Sequence, residues 1–154
     1  MMKEVTEEQA LDRLMAWCAA AEHCEHDVRE RLAGMQIGEE ARDHIVDRLY
    51  AEGFLDQRRY CCAFVRDKFR LNKWGRLKIR EALRTKRLPS TQITEALECI
   101  EEEEYAATIR QLVAAKERTL HDTDPYVRQG KVLRYMASRG FEVSEVAQHL
   151  SAER

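Results

Sequence analysis

One pattern of apolar residues occurs three times along this chain, at separations of 51 and 53 residues. Its first position is taken by Val28, Ile79 and Val132. The positions four, nine and eighteen residues further on are also apolar in each copy: Leu32, Leu83 and Met136; Ile37, Leu88 and Phe141; Val46, Leu97 and Leu150. A unit repeated at this length stacks on its neighbours and buries apolar surface against them. The pattern predicts three tandem units in a row, each with a small core.

The spacing of apolar residues within each unit is helical. Leu11, Leu14, Met15 and Cys18 recur every three or four residues, which places them on one side of a helix. Thr6 and Gln9 form a capping-box signal, and Asp124-Pro125 is typical of a cap and a first turn. Signals of this kind predict nine helices: about Glu7–Ala21, Glu25–Ala33 (ended by a left-handed Gly34), Glu39–Ala51, one capped by Asp56, Trp74–Thr85, one after Pro89, one after the run Glu101 to Glu104, one after Asp124, and Val143–Ala152.

These signals together predict an all-α protein. We expect three tandem three-helix repeats in an elongated, curved arrangement, with repeats at residues 1–55, 56–101 and 102–154. Inter-unit contacts need not be large, so hinge flexibility between units is expected.

The charge is distributed unevenly along the chain. The stretch from Arg58 to Arg87 holds 12 basic residues and two acids, Asp67 and Glu81. The rest of the chain holds 14 basic and 26 acidic residues. A basic centre between acidic flanks indicates that one part of the molecule meets a polyanion or an acidic protein surface.

The basic residues of the predicted fifth helix follow its period. Lys73, Arg76, Arg80, Arg84 and Arg87 recur at steps of three and four, which predicts one outward stripe. Such a stripe is either a solvated face paired with acids of neighbouring units or a contact surface for a partner. Trp74 either stacks on a base or covers the core of its unit. The candidate contact residues are Arg66, Lys68, Arg70, Lys73, Arg76, Lys78, Arg80, Arg84 and Lys86.

Several classes of site find no support in the sequence. The five cysteines include no CxxC pair, and we expect them to be reduced thiols. Cys18, His23, Cys24 and His26 do not have the spacing of a zinc site, so no metal is predicted. The five histidines show no catalytic spacing and there is no Gly-rich phosphate loop, so neither an enzyme nor a cofactor is expected. No apolar run could span a membrane and no signal peptide is visible, which predicts a cytoplasmic location without membrane contact.

Three motifs, in this order and at these separations, resemble the RecX family of bacterial regulators of the RecA recombinase. The resemblance covers about Ala10 to Leu150. It rests on Gly53-Phe54-Leu55-Asp56 with Arg59-Tyr60, Ala63-Phe64-Val65-Arg66 and Lys68; on Lys73-Trp74-Gly75-Arg76-Leu77-Lys78-Ile79-Arg80-Glu81-Ala82-Leu83-Arg84; and on Arg139-Gly140-Phe141. Two departures stand out. Gln57 replaces a common second Asp, and Lys86-Arg87-Leu88 replaces a common Lys-Gly-Ile turn.

The resemblance implies a non-catalytic regulator, expected to be a monomer. Proteins of this family lie in the groove of the RecA–DNA filament and mainly inhibit its ATPase and strand exchange. The implied partners are the recombinase filament and DNA, the latter bound weakly and largely by electrostatic attraction. Two alternatives remain open: a helix-turn-helix-like protein that acts directly on DNA, and an interaction scaffold unrelated to DNA.

Overall fold

The computed structural model describes residues 4–150, which form α-helices joined by short loops and contain no strand. The all-α prediction is confirmed. The helices are α1 (Glu7–Ala20), α2 (Glu25–Gly34), α3 (Glu39–Ala51), α4 (Gln57–Arg70), α5 (Arg76–Thr85), α6 (Ser90–Leu97), α7 (Glu102–Thr119), α8 (Pro125–Ser138) and α9 (Val143–Ala147). We call α1–α3 the first unit, α4–α6 the second unit and α7–α9 the third unit.

The helix starts follow the local capping signals. The Gln9 amide donates to the Thr6 hydroxyl and the Thr6 amide donates to the Gln9 side chain, both at 3.1 Å. Asp56 accepts from the Arg59 amide at 3.0 Å, so Gln57 in place of a second acid leaves this cap intact. α5 begins at Arg76, two residues later than predicted. α9 ends at Ala147, so the predicted continuation is wrong as far as Leu150, and Ala152 lies outside the described residues.

The middle helix of each unit is followed by a residue with left-handed backbone geometry. These residues are Gln36 (φ 63°), Arg87 (φ 59°) and Gly140 (φ 92°), at the same separations as the apolar repeat. The prediction that Gly34 takes this role is wrong, because α2 continues through Gly34 and turns two residues later. Arg87 adopts this geometry although it is not glycine.

The apolar side chains form two core clusters and not the three predicted. The first unit has its own cluster, built on residues such as Leu14, Leu32 and Leu49. The second and third units share one continuous cluster. Tyr105 of the third unit joins them, because its ring lies 5.7 Å from the Phe69 ring and 5.4 Å from the Phe141 ring. The expectation of a separate core in each unit is therefore wrong for the last two.

Polar contacts within residues 4–150 join each unit to its neighbour in the chain. Lys86 donates to Asp27 at 2.9 Å, and the Glu25 amide donates to the Gln57 side chain at 3.3 Å. The buried Cys24 of the first unit belongs to the core cluster of the second and third units. The first and second units are thus linked by an ion pair and a hydrogen bond around one inserted side chain.

A disulfide links Cys62 of α4 to Cys99, two residues beyond α6, with their Cα atoms 6.1 Å apart. The prediction that all five cysteines are reduced is therefore wrong. Adjacent cysteines on a helix point to different sides, so Cys61 is buried in the core while Cys62 faces the end of α6. Burial raises the pKa of the Cys61 thiol to about 11, which keeps it protonated.

Candidate functional site: the basic surface of the second unit

The N-terminus of α5 is capped by the third unit. Its N-cap residue, Gly75, has no side chain that could accept from the first-turn amides. The Arg76 amide donates instead to the Tyr105 hydroxyl at 3.1 Å, and the Leu77 amide donates to the Gly140 carbonyl at 2.9 Å. The third unit therefore sets the position of the basic helix.

Gly75 and Gly140 are in direct backbone contact at this joint. The Gly75 amide donates to the Arg139 carbonyl at 2.8 Å. A Cβ on Gly75 would overlap the Gly140 carbonyl, and a Cβ on Gly140 would overlap Lys78. The Arg139 guanidinium donates to the Lys73 carbonyl at 3.2 Å and also to that of Asn72. Two of the three sequence motifs thus meet here and lock α5 to the end of α8.

Arg76 is part of this joint and does not lie on the open surface. Its guanidinium lies 2.7 Å from Glu102 and 3.3 Å from Glu142, and it covers the Tyr105 ring at 3.8 Å from the centroid. Only 15% of its side chain is exposed. The Tyr105 hydroxyl donates to Glu142, and burial raises the pKa of that hydroxyl. The predicted outward stripe is wrong at this position, because two carboxylates of the third unit draw Arg76 inward.

Two further candidates are paired with acids of neighbouring units. Lys86 contacts Asp27 of the first unit, and this hydrogen bond raises the pKa of Lys86. Arg70 donates to both oxygens of Glu104 at 3.0 and 3.2 Å. The acids of the flanking units therefore neutralise part of the basic stretch. This agrees with the alternative in which the basic stripe is a solvated face paired with acids of neighbouring units.

The remaining candidates leave a smaller basic surface. Arg66 is exposed and Arg80 half-buried, and neither has an ion-pair partner among residues 4–150. Arg84 is 64% exposed and lies 3.7 Å from Glu81, a weak pair on the same helix. Arg87, which the candidate set omitted, is also exposed. We call Arg66, Arg80, Arg84 and Arg87 the free arginine surface.

Lys68 and Lys78 lie over the ring of Trp74, at 5.0 and 4.7 Å from its centroid. Trp74 is half-buried and packs against the core cluster, so it covers the core and also carries two cations. Lys73 lies in the loop before α5 with φ 56°. The hydrogen bond from Arg70 lowers the pKa of Glu104, and the charge of Lys73 adds to this effect. The predicted helical stripe therefore holds for Arg80 and Arg84, whereas Lys73 and Arg87 lie beyond the ends of α5.

Comparison with known proteins bears on both the fold and this surface. The family model described as "RecX, second three-helix domain" matches residues 56–97, and "RecX, third three-helix domain" matches residues 102–150. A Regulatory protein RecX from Leptothrix cholodnii is 30% identical over 139 residues, which cover 90% of this chain and 85% of that protein. The chain belongs to the RecX family. Another member, from Prosthecochloris aestuarii, is 27% identical over 150 residues, covering 97% of this chain and 96% of the relative.

Two solved structures share the fold. The crystal structure of RecX from Lactobacillus salivarius superposes with a TM-score of 0.84 at 16% identity, covering 93% of both chains. The crystal structure of a regulatory protein RecX gives 0.83 at 22% identity, covering 92% of this chain and 71% of that one. Within residues 4–150, no helix has the length and apolar character needed to cross a membrane. The family is therefore one of regulatory proteins, and the basic surface lies on its second three-helix domain.

Proposed function

We propose that this protein is a cytoplasmic, non-catalytic regulator, active as a monomer, that binds the RecA–DNA filament and mainly inhibits its ATPase and strand exchange. Membership of the RecX family supports the regulatory role. The partner is proposed from that family's resemblance and from the charge of the second unit. We also propose that the chain divides into three repeats, at residues 1–55, 56–101 and 102–154.

The observation that carries the proposal is the free arginine surface. Its members have no strong internal partner within the described chain, so their charge is available to phosphates or to acidic side chains of a filament. Lys68 and Lys78, which lie over Trp74, and Lys73, which precedes it in the chain, add further positive charge on the second unit. Arg70, Arg76 and Lys86 form ion pairs with acids of the neighbouring units and so hold these units against the second unit.

The helix-turn-helix alternative requires the N-terminal residues of a recognition helix to reach base edges. In α5, the first-turn amides and the Arg76 side chain are engaged by the third unit. This arrangement favours contact through the side of α5 and the end of α4 over insertion of the α5 N-terminus into a groove.

The test is ATP hydrolysis by RecA on single-stranded DNA, titrated with this protein. Reversal of Arg80 and Arg84 together (Arg80→Glu, Arg84→Glu) should raise the concentration for half-inhibition by about tenfold or more, since each reversed charge turns an attraction to the filament into a repulsion. The matched control is Arg118→Glu with Arg134→Glu, exposed residues of the third unit, which changes the net charge equally. Arg76 is left unchanged because its reversal would break the joint between units.

Full inhibition by the Arg80/Arg84 variant would show that this surface is not the contact. Inhibition by the native protein far below the recombinase concentration indicates action at filament ends, and inhibition near equal amounts indicates occupancy of the groove. If the native protein, shown to be folded, has no effect on hydrolysis but binds one duplex sequence far more tightly than others, the helix-turn-helix alternative replaces the proposal.

A further inference from the structure

An open groove of about 910 Å³ runs between α1 and α3 of the first unit. Its floor is apolar and is formed by Leu11, Met15, Ile45 and Ala51. From Glu7 to Met15 and from His44 to Glu52 the lining spans two turns of each helix, or about 12 Å. The groove is thus as long as a short helical segment and has a surface that an apolar side chain can enter.

The rim of the groove carries an excess of negative charge. Five carboxylates line it: Glu7, Glu8, Asp12, Asp47 and Glu52. The two basic groups of the lining are already engaged, His44 with Glu7 at 3.3 Å and Arg48 with Glu52 at 2.9 Å. Glu8, Asp12 and Asp47 have no ion-pair partner among residues 4–150. An occupant with basic flanks would therefore complement the rim.

The internal repeat shows that the two sides of the equivalent place in the second unit are joined by the disulfide. A shift of 51 residues superimposes the buried positions of α1 on those of α4: Ala10 on Cys61, Leu14 on Val65 and Cys18 on Phe69. The same shift takes Leu11 to Cys62 and Arg48 to Cys99, the two residues joined by the disulfide.

One ion pair of this site has the opposite polarity in the second unit. The pair of Glu7 with His44 becomes Arg58 with Glu95, 3.7 Å apart. The first unit therefore lacks the covalent bridge of the second unit, and its α1 side is acidic where the equivalent α4 side carries Arg58 and Arg59.

We propose that this groove docks a basic amphipathic α-helix of a partner protein, with apolar side chains on its floor and Lys or Arg against its rim. Helices with apolar residues at steps of three and four bind apolar grooves in this way. The acidic rim selects for basic flanks and against acidic ones. The basic helix α5 of a second copy fits poorly, because it buries Ile79 and Leu83 and exposes only Leu77 among its large apolar residues. The proposal does not depend on recombinase binding.

The experiment uses two synthetic peptides of about four turns with one composition of leucine and lysine. In one peptide the leucines lie on a single helical face, and in the other the order is scrambled. Binding to the full-length protein is measured by calorimetry at low and at physiological salt. We expect the amphipathic peptide to bind at both, because the apolar floor contributes where salt screens the charges. The scrambled peptide should bind at least about tenfold more weakly.

Paired variants locate the site. Asp47→Lys in the groove should weaken binding of the amphipathic peptide about five- to tenfold, which corresponds to the loss of a rim attraction and the gain of a repulsion. Glu98→Lys is the matched control, since Glu98 stands 51 residues further on at the equivalent exposed place of the second unit. The affinity of the Glu98→Lys variant for the peptide should equal that of the native protein.

Each alternative outcome overturns the proposal. Equal binding of both peptides would show simple charge attraction without an apolar contact. Equal weakening by Asp47→Lys and Glu98→Lys would place the peptide elsewhere. Association of the native protein with itself, abolished by Asp47→Lys, would make a second copy the occupant.

Discussion

Substitution of Gly75 by alanine tests whether the third unit holds the basic helix in place. Gly75 is the N-cap of α5 and touches the Gly140 backbone, with no room for a Cβ. To restore an ordinary contact distance, the Gly140 carbonyl would have to move by about 1 Å. That movement stretches the two hydrogen bonds formed by the Gly75 and Leu77 amides beyond useful length.

The magnitude follows from these contacts. Two broken hydrogen bonds cost about 1 kcal/mol each, and forcing a side chain into a filled site costs about 1–3 kcal/mol more, partly for the same displacement. We therefore expect Gly75→Ala to lower the free energy of unfolding by about 2–4 kcal/mol. For a protein of this size the Tm should fall by about 10 °C. Thermal and urea unfolding followed by circular dichroism measure both quantities.

Gly38 provides the matched control, because it is the N-cap of α3 and an added Cβ there meets nothing within 4 Å. Any general preference for glycine over alanine at an N-cap affects both variants alike. The difference between them therefore isolates the contact with Gly140. If Gly75→Ala and Gly38→Ala differ by less than about 0.5 kcal/mol, the account of this joint is refuted.

Three further predictions concern single features of the fold. Tyr105→Phe should destabilise the protein by about 1–3 kcal/mol, because the Arg76 amide loses its acceptor and the partly buried Glu142 loses one of its two donors, and urea unfolding against the native protein measures this. Arg87→Gly should stabilise it by about 1 kcal/mol, since glycine adopts φ 59° without strain; a lower Tm would contradict this. Reduction of the disulfide, which closes a loop of 37 residues, should lower the Tm of the native protein by about 10 °C. The Tm of Cys62→Ser should not change on reduction. Equal melting of the native protein with and without reductant would refute the bond.

Helix positions could be predicted from the sequence because their determinants are local. Thr6 caps α1 through a residue three positions away, and Asp124 caps α8 through Tyr126. The repeat positions Ile79 and Leu83 likewise identified the buried face of α5. The error at Gly34 has a local cause as well, because a glycine near a helix end is a common signal for a turn that here falls on Gln36.

The parts of the site that could not be predicted depend on contacts between distant residues. Arg76 and Glu142 are separated by 66 residues, and no period within α5 shows that its first arginine turns inward. Cys62 meets Cys99 only once α4 and α6 are packed. The sequence identified the basic stretch correctly, but tertiary packing decides which of its cations remain free.

Because the core is divided unequally, we expect the junction between the second and third units to be rigid and the junction between the first and second units to be flexible. The second and third units share buried aromatic rings, so they move together. The first unit is held mainly by ion pairs such as Lys86 with Asp27, with Cys24 inserted as a pivot. Salt weakens the ion pairs and leaves the shared core unchanged. We therefore expect the first unit to rotate relative to the other two at this junction, and to do so more readily at higher ionic strength.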